Sequence, residues 1–399
     1  MIKKLNHTNI LVGIVYFLQG FSLSGLAFSL FLKETLHWSM MQMSLLGVIT
    51  SLPWFGKIVF GMVSDNFPLF GYRRKSYIVV SSIAISCAWI ILSLFHSTWF
   101  WFYASIFFLM SFCSCFTDVL IDGTIVEKSK TEKESKLYQN ICWGTRAFGG
   151  CISGFASGWL AQHVNLYYIF AMQIPISLIL LPFVFKLKER KYIISQYIEK
   201  KELIKKSLIE PCKEFIRNKQ LLWISLFILL CAFSPSLGTP LFFRYRDLLH
   251  FSPQFLGILG TVGSVGDIIG CILFVKFFGK VDLKDLLKFA IGIWALNTFL
   301  VLFITNETSA VVIALCSSIL GYIAFIPLLS ISARICNSTK QEATLFAIVC
   351  SLNNISGQVS SLFGTWLIKF VSFETLVWIS TFTTFIVIPL IPKVCRKEK

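Results

Sequence analysis

The chain has 399 residues, of which 56% are hydrophobic and 14% charged, with a formal net charge of +16 and a mean hydropathy of +0.74. Soluble domains carry roughly 25% charged residues, so this composition excludes an ordinary soluble protein. The apolar runs are too long for core helices and lack the alternation of an outer-membrane barrel, which leaves an all-α membrane protein.

Hydropathy predicts twelve spans, at 8–32, 42–63, 77–95, 98–126, 137–161, 165–185, 221–243, 254–278, 286–304, 309–333, 342–368 and 372–391. Each is long enough to cross about 30 Å of hydrocarbon at about 1.5 Å per residue. The opening "MIKKLNHTNILVGIVYFLQG" has a long apolar run with no small-residue cleavage site, so it reads as span 1 rather than a signal peptide.

The link between spans 2 and 3, "GMVSDNFPLFGYRRKSY" (61–77), concentrates Asp65, Arg73, Arg74 and Lys75 around Gly71. Charges at two helix ends interact across so short a loop. Asp65, Arg73, Arg74 and, from the end of span 4, Glu127 are therefore expected to form a cytoplasmic gate, with plain charge anchoring as the alternative. Alternate loops hold 30 of the 36 Lys and Arg, whereas the opposite loops hold four, Lys33, Arg244, Arg246 and Lys369. By the positive-inside rule both termini are cytoplasmic. The basic excess thus reports topology, and no nucleic-acid partner is expected.

Charges at membrane depth are costly, so they pair, face a cavity or take part in transport. Lys57 lies in span 2. Asp118 and Asp122 stand four apart on span 4, hence on one face. Arg146 lies about 14 Å into span 5, level with Asp118 on the antiparallel helix before it, and a pair between them would offset two desolvation penalties. Asp267 on span 8 competes for the same arginine, because glycines at helical spacing on spans 5 and 8 predict close packing of those helices. Like charges on one face make Asp118 and Asp122 the candidates for proton coupling. Beyond span 7, Arg244, Arg246 and Asp247 would either attract an anion at the external mouth or meet lipid headgroups.

The one long polar stretch, 186–220, divides the chain into a six-span half (1–185), a cytoplasmic basic linker and a second six-span half with a short basic tail (221–399). Span 5 (137–160) aligns without a gap over span 11 (344–367), matching Gly150 with Gly357 and Trp159-Leu160 with Trp366-Leu367. Span 2 aligns over span 8 likewise. In this alignment Lys57 corresponds to Asp267 and Arg146 to Asn353, which would polarise a central cavity.

A six-plus-six chain of this kind resembles the major facilitator superfamily, and the Gly61, Asp65, Gly71, Arg73, Arg74, Lys75 pattern resembles its loop 2–3 signature. The blocks "SDNFPLFGYRRKSY", "FTDVLIDGTIVEKS", "KLYQNICWGTRAFGG", "FFRYRDLLHFSPQFLGILGTVGSVGDIIG" and "EATLFAIVCSLNNISG" together resemble the folate-biopterin transporter family. The resemblance implies the major facilitator fold and uptake of folates or pterins by alternating access. Some relatives in that family carry S-adenosylmethionine, and muropeptide or sugar permeases of the superfamily are the alternative. The chain is shorter than plant and protozoan members usually are, which favours a bacterial inner-membrane protein, expected to act as a monomer.

For such a substrate Arg146 suits a carboxylate, and Asp118 or Asp267 suits the pterin's N–H donors. Lys57, Trp143 and Asn353 complete the expected substrate set, while Trp54 and Phe148 are further stacking candidates. The twelve cysteines and five histidines lack ligand spacing, so neither a metal nor a cofactor is expected. No P-loop or nucleophile elbow occurs, and an enzyme is not expected.

Overall fold

The structure, a computed structural model, describes residues 7–128, 132–187, 189, 191, 213–278, 281, 283–337 and 342–394. Most of the linker predicted at 186–220, and the tail beyond 394, lie outside the described residues. Among the described residues the secondary structure is helical, with one isolated bridge between Leu69 and Tyr72. Eight helical segments among the described residues are long and apolar enough to cross a membrane, and Met40–Phe55 and Lys219–Cys231 are shorter apolar helices. Large apolar side chains such as Leu52, Val80, Ile83, Leu94 and Trp101 are exposed, as lipid requires and water penalises.

The chain divides into two compact units. Unit 1 holds residues 1–37, 49–205 and 256–261, and unit 2 holds 38–48, 206–255 and 262–399. The helices of unit 1 are α1 (His7–Gly20), α2 (Gly25–Leu30), α3 (Met40–Phe55, shared with unit 2), α4 (Lys57–Asn66), α5 (Lys75–Leu94), α6 (Phe100–Lys128), α7 (Glu132–His163), α8 (Leu166–Leu178) and α9 (Leu181–Phe185). Its core joins Leu11, Val12 and Val15 of α1 to Ile78 of α5, to Leu120 and Ile121 of α6, and to Cys142 and Val184.

Unit 2 contains α10 (Lys219–Cys231), α11 (Gly238–Asp247), most of α12 (Pro253–Leu273), α13 (Leu283–Leu300), α14 (Glu307–Asn337), α15 (Glu342–Leu367), α16 (Phe373–Thr383) and α17 (Ile391–Val394). Its core joins Leu221, Ile224 and Phe227 of α10 to Leu287 and Ile291 of α13, Leu345 and Val349 of α15, and Ile391 and Val394 of α17.

Several predicted spans are not continuous helices. Span 1 breaks between Gly20 and Gly25, span 7 between Cys231 and Gly238, and span 2 at Gly56. The last break has a local cause. Gly56 leaves the helical conformation (φ −107°, ψ 23°), and its N–H turns back to the Pro53 carbonyl at 3.1 Å. Two carbonyls near the break also accept from α6. Cys115 Sγ donates to Pro53 O at 3.5 Å, and Ser111 Oγ donates to Thr50 O. Such broken helices are tolerated at membrane depth where the protein satisfies the backbone groups they release.

The glycine stripe predicted on span 8 serves two neighbours rather than one. A Cβ on Gly257 would lie 2.5 Å from Gly154 O and 2.6 Å from Gly158 Cα, so this end of α12 packs on α7 within unit 1. In unit 2, a Cβ on Gly266 would lie 2.7 Å from Ser318 Cβ, and one on Gly270 would lie 2.6 Å from Ile319 O. That end packs on α14. Close approach along both stripes is what small residues permit in lipid.

Candidate functional site

The break at Gly56 makes Lys57 the first residue of α4 and turns its side chain toward α6. There Lys57 Nζ forms an ion pair with Asp118 Oδ2, while its ammonium lies 4.8 Å from the Trp54 ring centre. Trp54 is fixed in turn by donating its indole N–H to Ser111 Oγ at 3.0 Å. The other oxygen of Asp118 accepts from Gln19 Nε2 at 2.7 Å, and Asp122 Oδ1 accepts from the Tyr16 hydroxyl at 2.6 Å. Tyr16 and Gln19 are three apart on α1, and the carboxylates are four apart on α6. These spacings match one face of each helix, and the two pairings run antiparallel.

Asp118 is 3% exposed, so its charge is removed from water and depends on these donors. Of the two partners open to Arg146, Asp118 is taken up by Lys57 and Gln19, which occupy its carboxylate. Among the described residues Arg146 makes no ion pair. It is exposed on α7, with its guanidinium 5.6 Å from the Trp143 ring centre. Trp143 and Phe148 are exposed beside it. Asp267 on α12 is half-buried, and Asn353 lies on α15 with partial exposure. Neither makes an ion pair among the described residues.

Sequence charge alone does not single out Tyr16 or Gln19, which are neutral residues in an apolar run. The signal that could have found them is their three-residue spacing opposite a four-residue carboxylate pair.

The predicted gate is described in part, since the side chains of Asp65 and Glu127 lie outside the described residues. Phe70 (φ 52°) and Gly71 (φ 82°) take left-handed conformations and turn the chain sharply into α5, for which glycine is suited at the second position. Arg74 is buried, and its guanidinium lies over Gly123 of α6, where an added Cβ would sit 3.0 Å from Nη2.

Glu189, beyond α9, joins this corner through the backbone. Its carboxylate accepts the N–H groups of Arg73 at 2.9 Å, Arg74 at 3.0 Å and Lys75 at 2.9 Å. Arg74, the residue that caps α5, supplies no side-chain cap of its own. A carboxylate at this helix start meets both the orphan donors and the positive end of the dipole. Glu189→Ala is expected to cost about 1–2 kcal/mol, read as a lower thermal midpoint in detergent, with Glu189→Gln intermediate.

In unit 2 Arg244 and Arg246 both meet partners within the chain. Arg244 pairs with Glu374 at 2.7 Å and stacks 4.5 Å over Phe373, and Arg246 donates to the Phe251 carbonyl.

The model of the BT1 family matches residues 19–397, nearly the whole chain and both units of the fold. The chain belongs to the BT1 family. A BT1 relative, the folate-biopterin transporter of Synechocystis sp., is 31% identical over 94% of this chain and 79% of that protein. Folate transporter 1 of Plasmodium falciparum is 25% identical over 89% of this chain and 71% of its own length. These BT1 relatives are transporters, not enzymes. Among solved structures, the nucleoside transporter NupG matches with a TM-score of 0.72 at 13% identity, covering 98% of this chain and 99% of that one. A POT family transporter in complex with 5-aminolevulinic acid matches with a TM-score of 0.74 at 14% identity, covering 97% and 96%. At such identities the likeness is one of fold. The BT1 chain is therefore a multi-pass membrane protein with the fold of these transporters.

Proposed function

We propose that the chain is a secondary transporter for folate- or pterin-type metabolites, driven by protons and working by alternating access. In this reading twelve membrane helices form two six-helix halves of the major facilitator type, 1–185 and 221–399, joined by the linker 186–220. Both termini face the cytoplasm, and the protein acts as a monomer in a bacterial inner membrane. The names of the relatives support the substrate class.

The observation that carries the reading is the contrast between two cations on unit 1. Lys57 is taken up by Asp118, whereas Arg146 is exposed, without an ion pair among the described residues, beside the exposed rings of Trp143 and Phe148. A guanidinium of this kind suits the bidentate capture of a carboxylate, and the rings suit the flat face of a pterin. Asp267 and Asn353 are the proposed contributions from unit 2. For the proton, Asp118 and Asp122 remain the proposed pair, and Asp122 is the member whose partner, Tyr16, is neutral. Asp65, Arg73, Arg74 and Glu127 are the proposed cytoplasmic gate, with Glu189 as an added brace.

The test is accumulation of labelled folate by proteoliposomes with and without an inward proton gradient, comparing wild type with Arg146→Ala. Gradient-driven uptake is expected in wild type, with KM raised about 10- to 100-fold in the variant. Absence of folate uptake by folded wild type, with uptake of S-adenosylmethionine, a muropeptide or a sugar in its place, would overturn the substrate class.

A further inference from the structure

The breaks in spans 1 and 7 have similar sequences and a similar way of being held, but they are not equally braced. Span 1 breaks at "FSLSG" (21–25) and span 7 at "FSPSLG" (233–238). In the gapless alignment of 137–160 over 344–367, Ser153 of α7 corresponds to Ser360 of α15. Each of these serines reaches the break of its own unit. Ser153 Oγ donates to Ser22 O at 2.7 Å, and Ser360 Oγ donates to Ser234 O.

The supports then diverge. In unit 1 the same Ser153 hydroxyl also accepts the Ser22 N–H at 3.0 Å, so both backbone groups of Ser22 depend on one side chain. Further support comes from Gln173 Nε2, which donates to Ser24 Oγ at 3.2 Å. In unit 2 the Ser236 N–H goes instead to the main-chain carbonyl of Ser360 at 3.0 Å, an acceptor that Ser360→Ala retains. There Ser234 Oγ also lies 3.0 Å from Ser380 O and 3.2 Å from Thr384 Oγ1. Span 7 thus keeps its break through backbone and hydroxyl links, while in span 1 the backbone groups of Ser22 rely on Ser153.

We propose that Ser153 is a positioning residue for transport: it pins the break in span 1 and thereby holds the turn that presents Tyr16 and Gln19 to Asp122 and Asp118. Gln19 is three residues before Ser22, and the turn between them lies directly on α7, since a Cβ on Gly20 would be 2.0 Å from Arg146 O. Loss of the Ser153 hydroxyl leaves the Ser22 N–H and C=O without partners at membrane depth. The freed backbone shifts, and the two donors to the carboxylates shift with it. Ser360 has the equivalent place in unit 2 but a smaller share of the support.

The inference rests on the transport reading, and its test separates the two. Amide hydrogen exchange on the full chain in lipid nanodiscs is compared for wild type, Ser153→Ala, Ser153→Thr and Ser360→Ala. Exchange over 21–25 is expected to rise about tenfold in Ser153→Ala and to return toward wild type in Ser153→Thr, which restores a hydroxyl. Exchange over 233–238 is expected to rise by less than about threefold in Ser360→Ala. Labelled-folate uptake is expected to follow the same order, with Ser153→Ala losing about tenfold in maximal rate and Ser153→Thr recovering it. Unchanged exchange over 21–25 in Ser153→Ala, or equal effects of the two alanine variants, overturns the proposal. So does wild-type uptake by Ser153→Ala. If wild type itself takes up no folate, the substrate reading fails and the exchange pattern alone decides the pin.

Discussion

Lys57→Met is expected to destabilise the protein by about 3–5 kcal/mol, the largest loss among single polar substitutions in unit 1. The variant leaves the buried Asp118 with Gln19 as its remaining donor and no cation beside it. A lone charge in this setting loses its Coulombic partner while still lacking water. Asp118→Asn alone strands Lys57 in the mirror-image way. The double variant Lys57→Met/Asp118→Asn removes both charges and is expected to recover most of the lost stability, because replacing a whole buried pair is often neutral. Thermal midpoints of the four proteins in detergent form a double-mutant cycle. Additive single effects would show that the pair does not act as a unit. Uptake is expected to be lost in all three variants, which separates the role of the pair in folding from its role in transport.

Gly20→Ala and Gly364→Ala are each expected to prevent recovery of monodisperse protein, a cost of at least about 3 kcal/mol. A Cβ on Gly20 would lie 2.0 Å from Arg146 O, and one on Gly364 would lie 2.0 Å from Ser236 O. Both neighbours are main chain, so relief requires a helix to move. Each contact also lies beside a break whose few hydrogen bonds hold it in place, and a displaced helix would lose those bonds as well. Gly357→Ala is the control, since nothing lies within 4 Å of its added Cβ. Size-exclusion profiles after detergent extraction distinguish the outcomes. A monodisperse Gly20→Ala protein with wild-type yield would show that α1 and α7 tolerate separation.

The contrast between Gly357 and Gly364 illustrates how sequence and structure divide the information. Gly357 stands out in the alignment of span 5 over span 11 because Gly150 matches it, yet its surroundings are open. Gly364 aligns with Ser157 and attracts no notice, yet it carries the close approach to Ser236. Identity between aligned spans marks a match of sequence, whereas the need for glycine is set by the distance to another chain segment.

Composition and hydropathy by themselves determined the membrane class and the helical architecture, because long apolar runs in lipid must satisfy their backbone groups internally. The residue blocks determined the family, and the rarity of charge in the spans picked out Lys57, Asp118, Asp122 and Arg146, since each such charge is costly. Tertiary structure decided the partners. Depth along a helix ranks which residues are level, but rotation about the helix axis decides which of them face each other, and that angle is set by packing. Hence Asp118 meets Lys57 and Gln19 while Arg146 stays exposed. Tyr16, Gln19, Glu189 and Ser153 came from the structure for the same reason. Neutral or loop residues acquire their roles only when a distant segment brings a carboxylate, a helix end or a broken backbone within hydrogen-bond reach.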